Sequence, residues 1–245
     1  MAKVSPKTIK LCLTFLISMP MAQAATHDGV IDVRWDETIY PDEALKAANI
    51  ADFKGLLEAN WNEKISVIVK KDSRSATEKL SLQNCRQLFN VERHLYETED
   101  PTDWPILMQS LLRCKAMQMM TRLKPAQTSY MDRDVLSMVR DLAGLQPESR
   151  SDPIRLFFSG LREEKGEKNC FRKNLCRIVT AKNAYLLNVV ATGDYNGDGI
   201  EDLILIATNG PIGGTATSRL SLGFVLTREA PGKPLKILTS FEKAN

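Results

Sequence analysis

Residues 194–202 read Asp-Tyr-Asn-Gly-Asp-Gly-Ile-Glu-Asp, and the apolar run Leu203-Ile204-Leu205-Ile206 follows at once. Upstream, Tyr185 to Ala191 is another aliphatic stretch of strand composition. Glycines at 197 and 199 permit tight bends, because glycine enters left-handed backbone regions without steric cost. The chain here has little choice but to run strand, sharp loop, strand. That constraint sets the character of everything C-terminal to it.

The loop also has a definite chemistry. Oxygen-bearing side chains stand at positions 1, 3, 5 and 9 (Asp194, Asn196, Asp198 and Asp202), with glycine at position 6 and the Ile200 carbonyl at position 7. Calcium takes six to eight oxygens at about 2.3–2.6 Å, so a short loop holds it only by wrapping and pointing alternate residues inward. An EF-hand would place a bidentate Glu at position 12 and flank the loop with helices. Position 12 is Leu205, inside a strand-like run. The competing account is an empty hairpin turn, since Asn-Gly and Asp-Gly favour two-residue turns; such a turn has no need of acids at both ends.

Over residues 185–208 the segment resembles the calcium loops of FG-GAP/VCBS-type repeats. The resemblance implies Ca2+ as the ion, with Asp194, Asn196, Asp198, Ile200 through its carbonyl, and Asp202 as ligands. Propellers built from such repeats need at least four blades, and this chain has one copy, so the resemblance extends to the loop and not to a propeller. Without a twelfth-position carboxylate, the expected affinity is on the order of the 10⁻⁴–10⁻³ M of extracellular modules.

The N-terminus reads as a signal peptide. Lys3, Lys7 and Lys10 precede an apolar core from Leu11 to Met21, and Ala22-Gln23-Ala24 supplies a small-x-small cleavage pattern. The apolar run is shorter than the ~20 residues of a membrane span, so cleavage after Ala24 predicts a periplasmic or secreted protein with no transmembrane span. The chain carries 33 Lys and Arg against 30 Asp and Glu. Residues 1–24 hold three of those lysines and no acid, which leaves the remainder formally neutral. No attraction to nucleic acid or to an anionic membrane is implied.

Cleavage removes Cys12 and leaves Cys85, Cys114, Cys170 and Cys176. An even number in an oxidising compartment points to two disulfides. Of three connectivities, Cys85–Cys114 and Cys170–Cys176 are favoured because each pair lies within one local region. The alternative, a tetrathiolate zinc site, lacks the paired C-x₂-C spacing.

Residues 25–150 read as a mainly helical region. Pro41 opens a helix with Asp42 and Glu43 in its first turn, Leu45 to Leu57 continue with helical spacing, and Lys64 to Lys70 interrupt as a short β run. Asp103 is the expected N-cap of the clearest helix, with Ile106, Leu107, Ser110, Leu111, Cys114 and Met117 on one face and Lys124-Pro125 as its end. A shorter helix is expected from Asp132 to Ala143, and Pro147 to Pro153 is the boundary candidate. Residues 151–245 read as an antiparallel β module, with strands near 175–181, 184–192, 202–208, 219–227 and 234–240. The expected fold class is α+β, a helical N-terminal half packed with a small antiparallel β-sheet C-terminal half.

Several other residues have a chemistry of interest beside a plainer role. Met108, Met117, Met119, Met120, Met131 and Met138 suit copper(I) or, more simply, an irregular core. His94 lies near Cys85 in sequence, but a Cys–His pair needs a free thiol. Trp35-Asp36-Glu37 places acids beside an aromatic, as a glycosidase does, and acids before a helix also serve as caps. Arg162, Lys165, Lys168, Arg172, Lys173 and Arg177 surround the Cys170–Cys176 loop, diluted by glutamates, and Gly210 to Ser218 forms a long connection open to recognition. The chain has no nucleophile elbow, phosphate-binding loop or zinc-protease motif. The expectation is therefore an exported, non-enzymatic calcium-binding protein whose ion shapes a surface for an envelope or secreted protein. Two alternatives stay open: a periplasmic inhibitor or immunity protein against a toxin or cell-wall enzyme, and an envelope-polymer hydrolase.

Overall fold

The structure is a computed structural model describing residues 29–43, 45–70, 72, 76–132, 134, 138, 141–142, 157–158, 161, 167–214 and 219–242. The expected signal peptide, the Pro147–Pro153 boundary and most of the expected 132–143 helix lie outside these residues. In chain order the elements are β1 (Arg34–Trp35), α1 (Asp52–Leu56), β2 (Ile65–Val69), β3 (Glu78–Leu82), α2 (Cys85–Val91), β4 (Leu95–Thr98) and α3 (Asp103–Met120). They continue with β5 (Glu167–Arg172), β6 (Leu175–Val179), β7 (Asn183–Gly193), β8 (Asp202–Pro211), β9 (Leu220–Thr227) and β10 (Lys236–Glu242).

The larger sheet runs β10-β9-β8-β7-β6-β5, antiparallel throughout, as a meander. The five strands expected in the C-terminal part are all present, joined by β5. Strand β7 is long enough to share one edge between two partners, β6 along residues 184–188 and β1 at Ala191 and Thr192. A bulge between Val189 and Ala191 separates the two pairings. Bulges re-aim side chains, and here Val190 and Ala191 both enter the same core.

Both faces of this sheet are covered. Strand β8 alternates cleanly: Ile204 joins the core under α3, whereas Leu203, Leu205 and Ala207 join a second core containing Phe157, Phe158, Tyr185, Phe224 and Leu226. On the α3 side, the ring of Phe241 covers Gly223; a Cβ on that glycine would lie 1.9 Å from the ring. The glycine clears the space that the phenylalanine fills.

The N-terminal part corrects the expected fold class. It is not a helical half. β2 is the centre of a three-stranded antiparallel sheet, β3-β2-β4, and β1 belongs to the large sheet. The described residues of 41–57, expected to open a helix at Pro41, contain only the five-residue α1. Leu45, Phe53 and Leu57 are buried as the spacing suggested, but only Phe53 lies within that short helix. β3 (Glu-Lys-Leu-Ser-Leu) and β4 (Leu-Tyr-Glu-Thr) are polar edge strands whose side chains are largely exposed, so they lack the apolar alternation that reveals a half-buried strand. The protein is mostly β, with α3 as its one long helix among the described residues.

Helix α3 is buried on most sides, from Leu107 and Met108 through Leu111, Leu112, Cys114 and Ala116 to Met120, as expected of an apolar helix enclosed within a core. Ile106, expected on the inner face, is exposed. Asp103 is the first helical residue rather than the cap; Asp100 takes the Thr102 N–H and hydroxyl, at 2.8 Å each, just ahead of it. The methionines 108, 117 and 120 are core fillers. Both expected cystine pairs are formed: Cys85–Cys114 joins α2 to α3, and Cys170–Cys176 bridges the β5–β6 pair across its register.

Candidate functional site: the 194–202 loop

The loop closes the β7–β8 hairpin just beyond the Gly193–Asp202 pair. Its two ends are buried and its tip is exposed: Asp194 and Asp202 are 5% and 0% accessible, whereas Asn196, Gly197 and Asp198 face solvent. Asp194 organises the turn from within, accepting the Gly197 N–H at 2.7 Å and the Gly199 N–H at 2.9 Å. Both glycines have φ near +83°, at +84° and +82°, the left-handed region that costs other residues steric energy. Asp198 accepts the Ile200 N–H at 2.8 Å and the Asn196 side-chain amide at 2.9 Å.

Asp202 is the exceptional member. One oxygen accepts the Tyr195 N–H at 2.8 Å; the other, Oδ1, is buried with no hydrogen-bond partner. Burial raises its pKa above the ordinary carboxylate value, and the nearby negative charges of Asp198 and Asp194 push the same way, outweighing the lowering influence of Thr227 and the Tyr195 N–H. The Thr227 hydroxyl sits beside the carboxylate without a bond of good geometry.

The five expected ligand residues thus share one loop, and three of them, Asp194, Asp198 and Asp202, are close enough to interact electrostatically. They do not form a ready cage: among the described residues, no group of three or more His, Cys, Asp or Glu side chains is placed to hold a metal ion. The chemistry of the donors nevertheless suits a hard divalent cation. An orphaned, buried carboxylate oxygen held near two further acids is a site where positive charge relieves both desolvation and repulsion.

The segment after α3 straps this loop from outside. Lys124 and Asp194 exchange backbone hydrogen bonds of 2.9 and 2.8 Å, the Gly199 carbonyl accepts the N–H groups of Gln127 and Thr128, and the Glu201 N–H reaches the Thr128 carbonyl at 2.7 Å. Glu201 is 1% exposed and accepts the Ser129 hydroxyl. Neither the strap nor Glu201 was expected to matter. Glu201 was legible in principle, because strand alternation puts residue 201 on the buried side with Leu203 and Leu205.

The remaining candidates separate from the loop. Asp36 caps a turn at 37–39 by accepting the Thr38 N–H, is bonded to Asn174 at 2.5 Å, and lies 3.7 Å from Arg172. Burial pushes its carboxyl up, but the bonds from Thr38 and Asn174 and the charge of Arg172 prevail, so its pKa falls below the ordinary value. Glu37 is exposed. His94 is exposed, and Cys85 is in a disulfide. Lys168, Arg172, Lys173 and Arg177 are exposed on the β5–β6 hairpin, whereas Arg162, Lys165 and residues 215–218 lie outside the described residues.

The two disulfides fit a non-cytoplasmic protein, and no helix among the described residues is long and apolar enough to cross a membrane. No curated protein and no solved structure matches the chain. What does match is the segment just described: residues 187–222, spanning most of β7, the loop, β8 and the start of β9, correspond to a single copy of the FG-GAP repeat.

Proposed function

We propose that this chain is an exported, non-enzymatic calcium-binding protein, with the ion held by Asp194, Asn196, Asp198, the Ile200 carbonyl and Asp202. The observation that carries the reading is the buried, unpartnered Oδ1 of Asp202 beside two further carboxylates in the loop. FG-GAP repeats often bind calcium, which supports the same reading. Bound calcium supplies two positive charges to the loop's three aspartates.

The residues do the rest. Asp194 keeps the turn wound through the Gly197 and Gly199 amides, so its carboxylate is held at the loop's centre. Asn196 and Asp198 stand exposed at the tip, where they can change orientation without disturbing the core. Asp202 anchors the closing end in the sheet. With its acids neutralised, the loop holds one shape, and its exposed tip becomes a defined surface for an envelope or secreted protein. Asp36, fully engaged in capping and bonding, supports a structural rather than a hydrolytic role.

Calorimetric titration of the mature, oxidised protein with calcium tests the proposal. One site is expected in the wild type, with its heat lost in Asp198→Ala. No heat in the wild type, together with an unchanged melting temperature in excess chelator, would refute it.

A further inference from the structure

A second site lies beside the loop. A cavity of about 220 Å³ opens between β1, the bulged part of β7 and the chain around Met131. Its walls are mainly apolar, from Trp35, Met131, Val190 and Leu203, and they carry three acids, Asp36, Asp132 and Glu201, against a single base among the described lining residues, Arg34. Arg34 is exposed at the rim. Glu201 is 1% exposed; its Oε2 accepts the Ser129 hydroxyl, and its Oε1 is buried with no partner. The Thr192 hydroxyl, also in the lining, is likewise buried and unpartnered.

We propose that this cavity binds a small organic cation, a primary ammonium on a short apolar body. Buried carboxylates are ordinarily paired or hydrogen-bonded on their available oxygens, because an unmet buried acceptor is costly. An ammonium offers three N–H donors and a compensating charge, which suit the Glu201 carboxylate and the Thr192 oxygen together. The acidic excess of the lining disfavours an anion. A hard metal ion needs six or more oxygens, far more than the two unpartnered ones present. The apolar walls suit a hydrocarbon body, and the volume lies below the roughly 300–1,000 Å³ of drug-sized sites. This inference does not depend on calcium occupying the neighbouring loop.

The ammonium could come from a free amine or from the tip of a partner's lysine. Titration of the mature, oxidised protein at neutral pH, with calcium present throughout, addresses both. The probes are n-butylammonium, the isosteric n-butanol, butyrate, and Nα-acetyllysine methylamide. Expected are saturable binding of n-butylammonium, at least about tenfold weaker binding of n-butanol and none of butyrate. Binding of the lysine analogue as tightly as n-butylammonium assigns the site to a lysine tip; markedly weaker binding assigns it to a free amine. Glu201→Gln should weaken the ammonium by about tenfold or more, and the isosteric Thr192→Val should weaken it severalfold with the fold retained. Neither Glu201→Gln nor Thr192→Val replaces a proposed calcium ligand, so both should keep the wild-type calcium heat, and failure of the calcium site and failure of this one are separable. The inference is overturned if n-butylammonium fails to bind, or binds no better than n-butanol. Unchanged affinity in a folded Glu201→Gln also overturns it, and should that variant not fold, unchanged affinity in Thr192→Val does so.

Discussion

Asp202 answers to two opposed demands. Folding buries it among other acids, which favours its protonated form, whereas ion binding needs it charged. In metal-free protein, its folded pKa lies above the unfolded value. Its favourable contribution is then complete below the ordinary carboxylate range and is lost as pH rises through the folded pKa. Asp202→Asn should remove that fall: an amide can still accept the Tyr195 N–H, and it offers donors toward Asp194 and Asp198. In excess chelator the variant should melt at or above the wild type at neutral pH, yet gain nothing from calcium, where the wild type gains. Thermal melts from about pH 4 to pH 8, with and without calcium, check both halves. A variant less stable in chelator would mean that the buried charge is already compensated. The glycines make a second contrast at this scale. Gly199→Ala forces an L residue to φ +82° in open contact range and should cost about 1–2 kcal/mol. Gly223→Ala drives a methyl into the Phe241 ring and should cost about 3 kcal/mol or more, since overpacking displaces a core side chain. Denaturant unfolding in the presence and absence of calcium should show only the first of these costs changing with the ion.

At the scale of elements, what the sequence disclosed depended on how much contrast burial wrote into each strand. β6 to β10 border two filled cores or a solvent face, so their apolar residues recur at the spacing of a strand and their positions were legible. β5 (Glu-Lys-Asn-Cys-Phe-Arg) is an edge strand exposed along most of its length, and it is recognisable only through its cystine partner in β6. β3 and β4 failed to announce themselves for the same reason, and the stretch that holds them read as part of a mainly helical region. Phe53 and Leu57 show the converse error: two buried residues four apart satisfy a helical pattern even where the helix lasts five residues. The cystines were legible from locality alone, but their energetic weights differ. Cys85–Cys114 closes a separation of 29 residues between two helices, whereas Cys170–Cys176 closes 6 within strands already paired. Because the cross-link acts largely by restricting the unfolded chain, more so for longer loops, Cys85→Ala/Cys114→Ala should lose about 3 kcal/mol. Cys170→Ala/Cys176→Ala should lose clearly less. Equal losses in equilibrium denaturation would show that the β5–β6 register depends on its cystine.

Across the whole molecule, the 194–202 loop connects parts that are distant in sequence. Lys124, Gln127 and Thr128 bond to its backbone immediately after α3, and Ile31 pairs with Ala126 on the far side of the same strap, at 2.7 and 2.9 Å. Helix α3 in turn packs on β8, β9 and β10 and is tied to α2 by a disulfide. Loosening the loop therefore has a defined route outward: first the strap, then the Ile31 segment, with the sheet core spared because β8 is enclosed by β7 and β9 and covered on both faces. Local opening involves the elements with least buried apolar contact, and the strap is held mainly by backbone hydrogen bonds to the loop. Chelation should therefore speed amide exchange at Gln127, Thr128, Glu201, Ala126 and Ile31, while Ile204, Leu205, Phe224 and Val225 keep their protection. Hydrogen–deuterium exchange with and without calcium reads this directly. Acceleration confined to Asn196–Gly199 would mean that the ion orders the tip alone, and acceleration throughout β8 and β9 would mean that it sustains the sheet itself. Only the intermediate pattern gives the loop the means to carry ion occupancy to a surface formed by a different stretch of the chain.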